Sequence, residues 1–171
     1  MAVGDGMHAY GGVELAELDR PTLAVSVEIP VRPDQLFEIL EDAEAWPRWL
    51  TAITKVVWTS PDPKGVGTTR TVEIKGAFIA DEEFIAWETN RRMTFRFARC
   101  SRRVFRAFAE DYRIEPTDNG CQLTWSVLIR PLGIPERLLT FMRPVLELTL
   151  RRNLARLRGY STARFDSATS A

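Results

Sequence analysis

The chain has 171 residues, 45% of them hydrophobic and 27% charged, enough for one globular domain with a substantial core. Lysine plus arginine equals aspartate plus glutamate at 23 each, so no global attraction to nucleic acid or to an anionic membrane is implied. With one histidine, His8, two cysteines, Cys100 and Cys121, and no ligand set in the spacing of its cysteines or carboxylates, the chain is not expected to hold a catalytic metal, to run a Ser-His-Asp or Cys-His mechanism, or to ligate an iron–sulfur cluster.

Residues 1–20 are rich in glycine at first ("VGDGMHAYGG") and show no sustained periodicity, which predicts a flexible arm with one turn at "ELAEL". No basic start leading into an apolar run opens the chain, and no apolar run approaches the roughly 20 residues of a membrane span. A cytoplasmic protein with free thiols and no stable membrane insertion is therefore expected.

In "TLAVSVEIP", Leu23, Val25, Val27 and Ile29 alternate with small or polar residues, the pattern of a half-buried strand. In "VRPDQLFEIL", Pro33 suits a first helical position and Asp34 lies at the positive end of the helix dipole, while Leu36, Phe37 and Leu40 form one apolar stripe. "DAEAWPRWL" adds a short second helix with two tryptophans on one face, Trp46 and Trp49.

Strands are then expected near 53–59, 67–75, 78–88, 92–99, 104–115 and 121–130. The turn-like links "SPDPKGVG", "KGA", "TNR", "CSRR" and "TDNG" favour antiparallel hairpins. "KGVGTT" lacks the third glycine and the Gly-Lys-Ser/Thr run of a phosphate loop and reads as a hairpin turn. Helical periodicity returns in "IPERLLTFMRPVLELTLRRNLARLRGY", where Pro144 implies either one kinked helix or two short ones broken near Arg143. The tail 163–171 is expected to be loose.

Arginine far outnumbers lysine and clusters from Arg91 to Arg106 and from Arg151 to Arg164. Alternation puts Arg92 and Arg96 opposite Met93, Phe95 and Phe97, on a solvated outer face. No aromatic interleaves there to stack bases, so no nucleic-acid partner is expected.

This order, carried by "IPVRPDQLFEIL" into "AWPRW", "GVGTTRTV", "EEFIAWETNRRMTFRF", "EDYRIEPTDNGCQLTW" and "RPVLELTLRRNLARLRGY", resembles the START/Bet v 1-like (SRPBCC) superfamily. Within it the chain looks most like bacterial polyketide cyclase/dehydrase proteins. The resemblance implies an α+β helix-grip fold in a single domain, residues 21–162: a seven-stranded curved antiparallel sheet around a long C-terminal helix, with two short helices between the first two strands. It also implies a cavity between sheet and helix for a hydrophobic small molecule (a lipid, quinone or polyketide), no cofactor, and a monomer or homodimer.

Strand alternation then proposes the cavity residues. Glu110 and Tyr112 share a face with Phe108 and Ile114, and Arg70 lies with Val72 and Ile74, as a candidate partner for Glu110 or a group that polarises a ligand carbonyl. Arg70, Glu110 and Tyr112 are the candidate catalytic set for a cyclase or dehydratase. Trp49, Phe95, Phe97, Arg99, Phe108 and Trp125 are candidate ligand contacts, with Met142 and Leu146 as a lid. Carrier and enzyme readings both stand, beside a third in which the basic C-terminal helix docks a non-enzymatic module on a macromolecular partner.

Overall fold

The computed structural model describes residues 6–133 and 135–169. Seven long or medium strands form one antiparallel sheet: β2 (Leu23–Ile29), β3 (Ile53–Trp58), β4 (Thr69–Ile74), β5 (Phe78–Glu88), β6 (Arg92–Cys100), β7 (Phe105–Thr117) and β8 (Gly120–Pro131). Their spatial order is β2-β8-β7-β6-β5-β4-β3, so every pair from β3 to β8 is a hairpin. Two short helices, α1 (Pro33–Glu41) and α2 (Trp46–Trp49), link β2 to β3, and α3 (Glu136–Thr169) follows the sheet. This is the helix-grip architecture.

Three expectations change. The sheet has an eighth strand, β1 (His8–Ala9), which pairs with Arg99 and Cys100 of β6. Strands β6 and β7 pair only from Arg92–Arg113 to Arg96–Ala109, and beyond that the arm takes the place of the missing partner. Tyr10 N–H donates to the Ala98 carbonyl and Gly11 N–H to that of Arg106, bridging the two strands. The described part of the arm is therefore tied down rather than loose. A 3-10 turn, Leu15–Asp19, then lays Leu18 with Val13 on Ala107, Ala109 and Leu128, covering part of the sheet's outer face. Lastly, residues 163–169 of the expected tail are helical, because α3, which runs through Pro144 as one of the two expected alternatives, continues to Thr169.

The inner face carries the main core, where Leu23, Val25, Phe84, Phe95 and Trp125 meet Leu36, Phe37 and Leu40 of α1. The two halves of α3 differ. Leu154, Leu157 and Ser161 are fully buried at helical spacing, and Arg164 pairs with Glu38 and Asp42 beside α1. The first half leaves Leu138, Phe141, Met142, Val145 and Leu148 exposed.

The outer-face arginines stand in a ladder of ion pairs: Arg92 and Arg113 with Asp111, Arg96 with Glu83, and Arg99 with Asp81. Both cysteines are buried and free, and burial pushes the Cys121 thiol up to about 11.

Candidate functional site

A cavity of about 220 Å³ lies between the sheet and α3. Phe95, Phe97, Phe105 and Phe108 of β6 and β7, Phe78 of β5 and Trp125 of β8 form its apolar wall, and Thr149, Leu150 and Asn153 of α3 form the helix side. Three ionisable side chains reach it: Arg70, Glu82 and Glu110.

Arg70 arrives because it alternates with Val72 on the inward face of β4, and it is 0% exposed. The β4–β5 register sets Glu82 directly opposite, and Arg70 Nε donates to Glu82 Oε2 at 2.6 Å. The guanidinium carbon stands 4.2 Å from the Trp46 ring centroid and 4.6 Å from that of Phe95, so π-faces offset part of its desolvation. Both Nη nitrogens remain buried without a hydrogen-bond partner. A charged group held by one bond in an apolar setting is short of acceptors.

Glu110 sits on β7 two residues from Tyr112. The Tyr112 hydroxyl donates to Glu110 Oε2 at 2.6 Å, and Trp125 Nε1 donates to the same oxygen at 3.1 Å. Trp125 is the cross-strand partner of Tyr112 and stacks on it with centroids 5.4 Å apart. Burial pushes the Glu110 carboxyl up to about 7, against the lowering effect of the Tyr112 bond, with the Glu82 charge also raising it. Both donors end on Oε2, which leaves Oε1 to carry the proton. Burial also raises Glu82, opposed by Arg70. Tyr112 is held well above its ordinary value by burial and by Glu110, and so stays a neutral phenol. Among the described residues, no group of three or more His, Cys, Asp or Glu side chains is placed to hold a metal ion.

The model of the family described as polyketide cyclase / dehydrase and lipid transport matches residues 20–162. The chain belongs to this family. An uncharacterized protein of Mycobacterium tuberculosis is 52% identical over 143 residues, covering 84% of this chain and 86% of that one, and one of Mycobacterium bovis matches equally. Among solved structures, a START superfamily protein from Mycobacterium smegmatis superposes with a TM-score of 0.65 at 14% identity, over 82% of this chain and 97% of that one. A Streptomyces aromatase/cyclase gives 0.63 at 14% identity, over 84% and 94%. The two-domain aromatase/cyclase of the steffimycin pathway gives 0.68 at 11% identity, over 84% of this chain and 51% of that one. At such identities these structures share the fold.

Within this family frame, Arg70, Glu110, Phe95, Phe97, Phe108 and Trp125 line the cavity. Tyr112 lies behind Glu110 and reaches the cavity through it. The expected Arg70–Glu110 pair is replaced by two separate pairs, Arg70–Glu82 and Tyr112–Glu110.

Four candidates lie elsewhere. Arg99 is on the outer face, paired with Asp81, because a bulge between Asp81 and Glu82 shifts the β5–β6 register and reverses the alternation. Trp49 is buried against Trp46 and Trp125 behind the wall, and Trp46 is the tryptophan that lines the cavity. Met142 lies three turns before Asn153, about 16 Å along the axis, and is 42% exposed. Leu146 packs on the main core one turn short of the cavity-lining Leu150.

Sequence reasoning missed Glu82 and Asn153, and of the two tryptophans on one face of α2 it assigned Trp49 rather than Trp46 to the cavity. Glu82 was accessible from the turn between β4 and β5, since a tight turn at Lys75–Ala77 sets Arg70 opposite Glu82 by counting.

Proposed function

We propose that this protein binds a compact, largely apolar small molecule carrying an oxygen acceptor, such as the carbonyl of a quinone, lipid or polyketide fragment, in the cavity between sheet and α3. The unpartnered Nη nitrogens of Arg70 at the wall of an otherwise apolar cavity carry this reading. A ligand oxygen would supply the missing acceptor, and buried aromatic surface would supply most of the affinity. The cavity lies below the roughly 300–1,000 Å³ of drug-sized pockets, which favours a small ligand. The test is calorimetric titration with 2-acetonaphthone and 2-isopropenylnaphthalene, two probes of nearly one shape in which C=CH2 replaces C=O. The ketone should bind roughly tenfold tighter, and Arg70→Lys should erase that preference while keeping binding of the hydrocarbon. Equal affinity for both probes, or a preference that survives Arg70→Lys, would sink the reading.

Glu110 favours a second reading, a cofactor-free aldol cyclase. As carboxylate, Glu110 would take a proton from the carbon beside one carbonyl, and Arg70 would hold the resulting enolate oxygen. The enolate carbon would attack a second carbonyl carbon, and protonated Glu110 would return its proton to the alkoxide. The step is an isomerisation, so its atoms balance without a co-reactant. Turnover of heptane-2,6-dione above the uncatalysed rate, abolished by Glu110→Gln, is the expected result. An unchanged rate in Glu110→Gln would leave binding alone.

A further inference from the structure

The first half of α3 carries apolar residues on two opposite sides, although only one of them meets the protein. At 100° per residue, Leu139, Leu146 and Leu150 point toward the core, and all three are partly buried. Leu138, Phe141, Val145 and Leu148 form a stripe on the opposite side, where Phe141 is 83% and Val145 65% exposed. An apolar stripe on the solvent face adds nothing to the fold and costs solubility, so it calls for an occupant.

The residues that continue the same line identify the occupant. One and two turns beyond Leu148 come Arg152 and Arg156, both exposed, with Arg151 beside them. Among the described residues no acidic side chain pairs with any of the three, whereas the outer-face arginines of the sheet are matched by acids. A second copy laid on the stripe in parallel would set Arg152 and Arg156 against themselves, which is repulsive. Laid antiparallel, it would carry both past the start of its own α3, so in neither arrangement does the stripe offer them an acidic partner. An anionic bilayer surface fits both parts: the apolar residues enter the headgroup boundary, and the arginines snorkel to lipid phosphates.

We infer that the outward stripe Leu138–Phe141–Val145–Leu148, with Arg152 and Arg156, docks the protein reversibly on an anionic lipid surface. The helix lies in the interface and does not cross it: no helix among the described residues is long and apolar enough to span a bilayer. The same helix lines the ligand cavity with Thr149, Leu150 and Asn153, so a docked helix sets the cavity beside the lipid. The docking stands whether or not the cavity binds a ligand.

The test is co-sedimentation of the full chain with vesicles of phosphatidylcholine alone and of phosphatidylcholine mixed with phosphatidylglycerol. The protein should pellet with the mixed vesicles and far less with the neutral ones, and added salt should weaken the association. Phe141→Ser with Val145→Ser, and separately Arg152→Glu with Arg156→Glu, should each reduce binding about tenfold or more. Those side chains are exposed, so the circular dichroism melts should stay near that of the parent chain. Failure to pellet with anionic vesicles, or pelleting indifferent to both pairs of substitutions, overturns the inference. So does a stable dimer in light scattering that Phe141→Ser with Val145→Ser dissolves, since that would assign the stripe to a second copy.

Discussion

Arg70 and Glu82 face each other across β4 and β5, 2.6 Å apart, both almost wholly removed from solvent. Burial makes the pair strongly asymmetric in its response to mutation. Removing one partner strands an uncompensated charge, whereas removing both strands none. Arg70→Met and Glu82→Leu should each cost roughly 3–5 kcal/mol in urea unfolding. The double variant should be clearly more stable than the sum of the two predicts. Additive losses would mean that the two charges do not sense each other.

Glu110 should make stability depend on pH across the neutral range. Its folded value of about 7 lies above the ordinary 4.5, so folding takes up a proton between those two points. Its contribution is fully present below pH 4.5 and is lost as pH rises through 7, a loss of roughly 3 kcal/mol. Glu110→Gln keeps an oxygen to accept from Tyr112 and Trp125 but cannot ionise. Chemical unfolding at a series of pH values from 5 to 8 should therefore show a markedly flatter profile for the variant. A wild-type slope retained in Glu110→Gln would assign it to other groups, Glu82 first.

Gly120 opens β8 at φ 143°, and a Cβ there would overlap the Ile29 carbonyl oxygen and stand 2.9 Å from the Val31 nitrogen. Backbone on both sides leaves nothing that can swing away. Gly120→Ala should lower stability by roughly 2–4 kcal/mol, read from the denaturant midpoint. A loss under about 1 kcal/mol would show that the β7–β8 turn can shift away from β2.

Tyr10 holds the splayed ends of β6 and β7. Its hydroxyl donates to the Arg102 carbonyl at 2.8 Å and accepts from Val104 N–H at 3.1 Å and Phe105 N–H at 3.3 Å. Tyr10→Phe should cost roughly 1–2 kcal/mol and speed amide exchange at Val104 and Phe105. Unchanged exchange there would show that the 101–104 loop keeps its form without the Tyr10 hydroxyl.

Much of the candidate site was legible because β-strand alternation is local. Glu110, Tyr112 and Phe108 share a face in any register, and Phe95 and Phe97 follow from one strand's own pattern. Arg99 fails for the same reason: a bulge at the β5–β6 pairing shifts the parity after Phe97, and nothing in "FRFARC" announces it. The arm was missed because its two-residue strand has no periodicity of its own and forms only where β6 and β7 part.

The order of elements, the hairpin turns and the inward faces of the strands were set by residues close together in the chain, through turn chemistry and the two periodicities of strand and helix. Which groups became partners was decided only when distant elements met. Arg70 joined Glu82 and Trp46 instead of Glu110, Trp46 took the cavity wall and left Trp49 behind it, and half of α3 kept its apolar side outward. Hydrophobic pattern specifies that a side chain leaves water. It does not specify which neighbour awaits it, because that depends on register and helix position, which the whole core settles together.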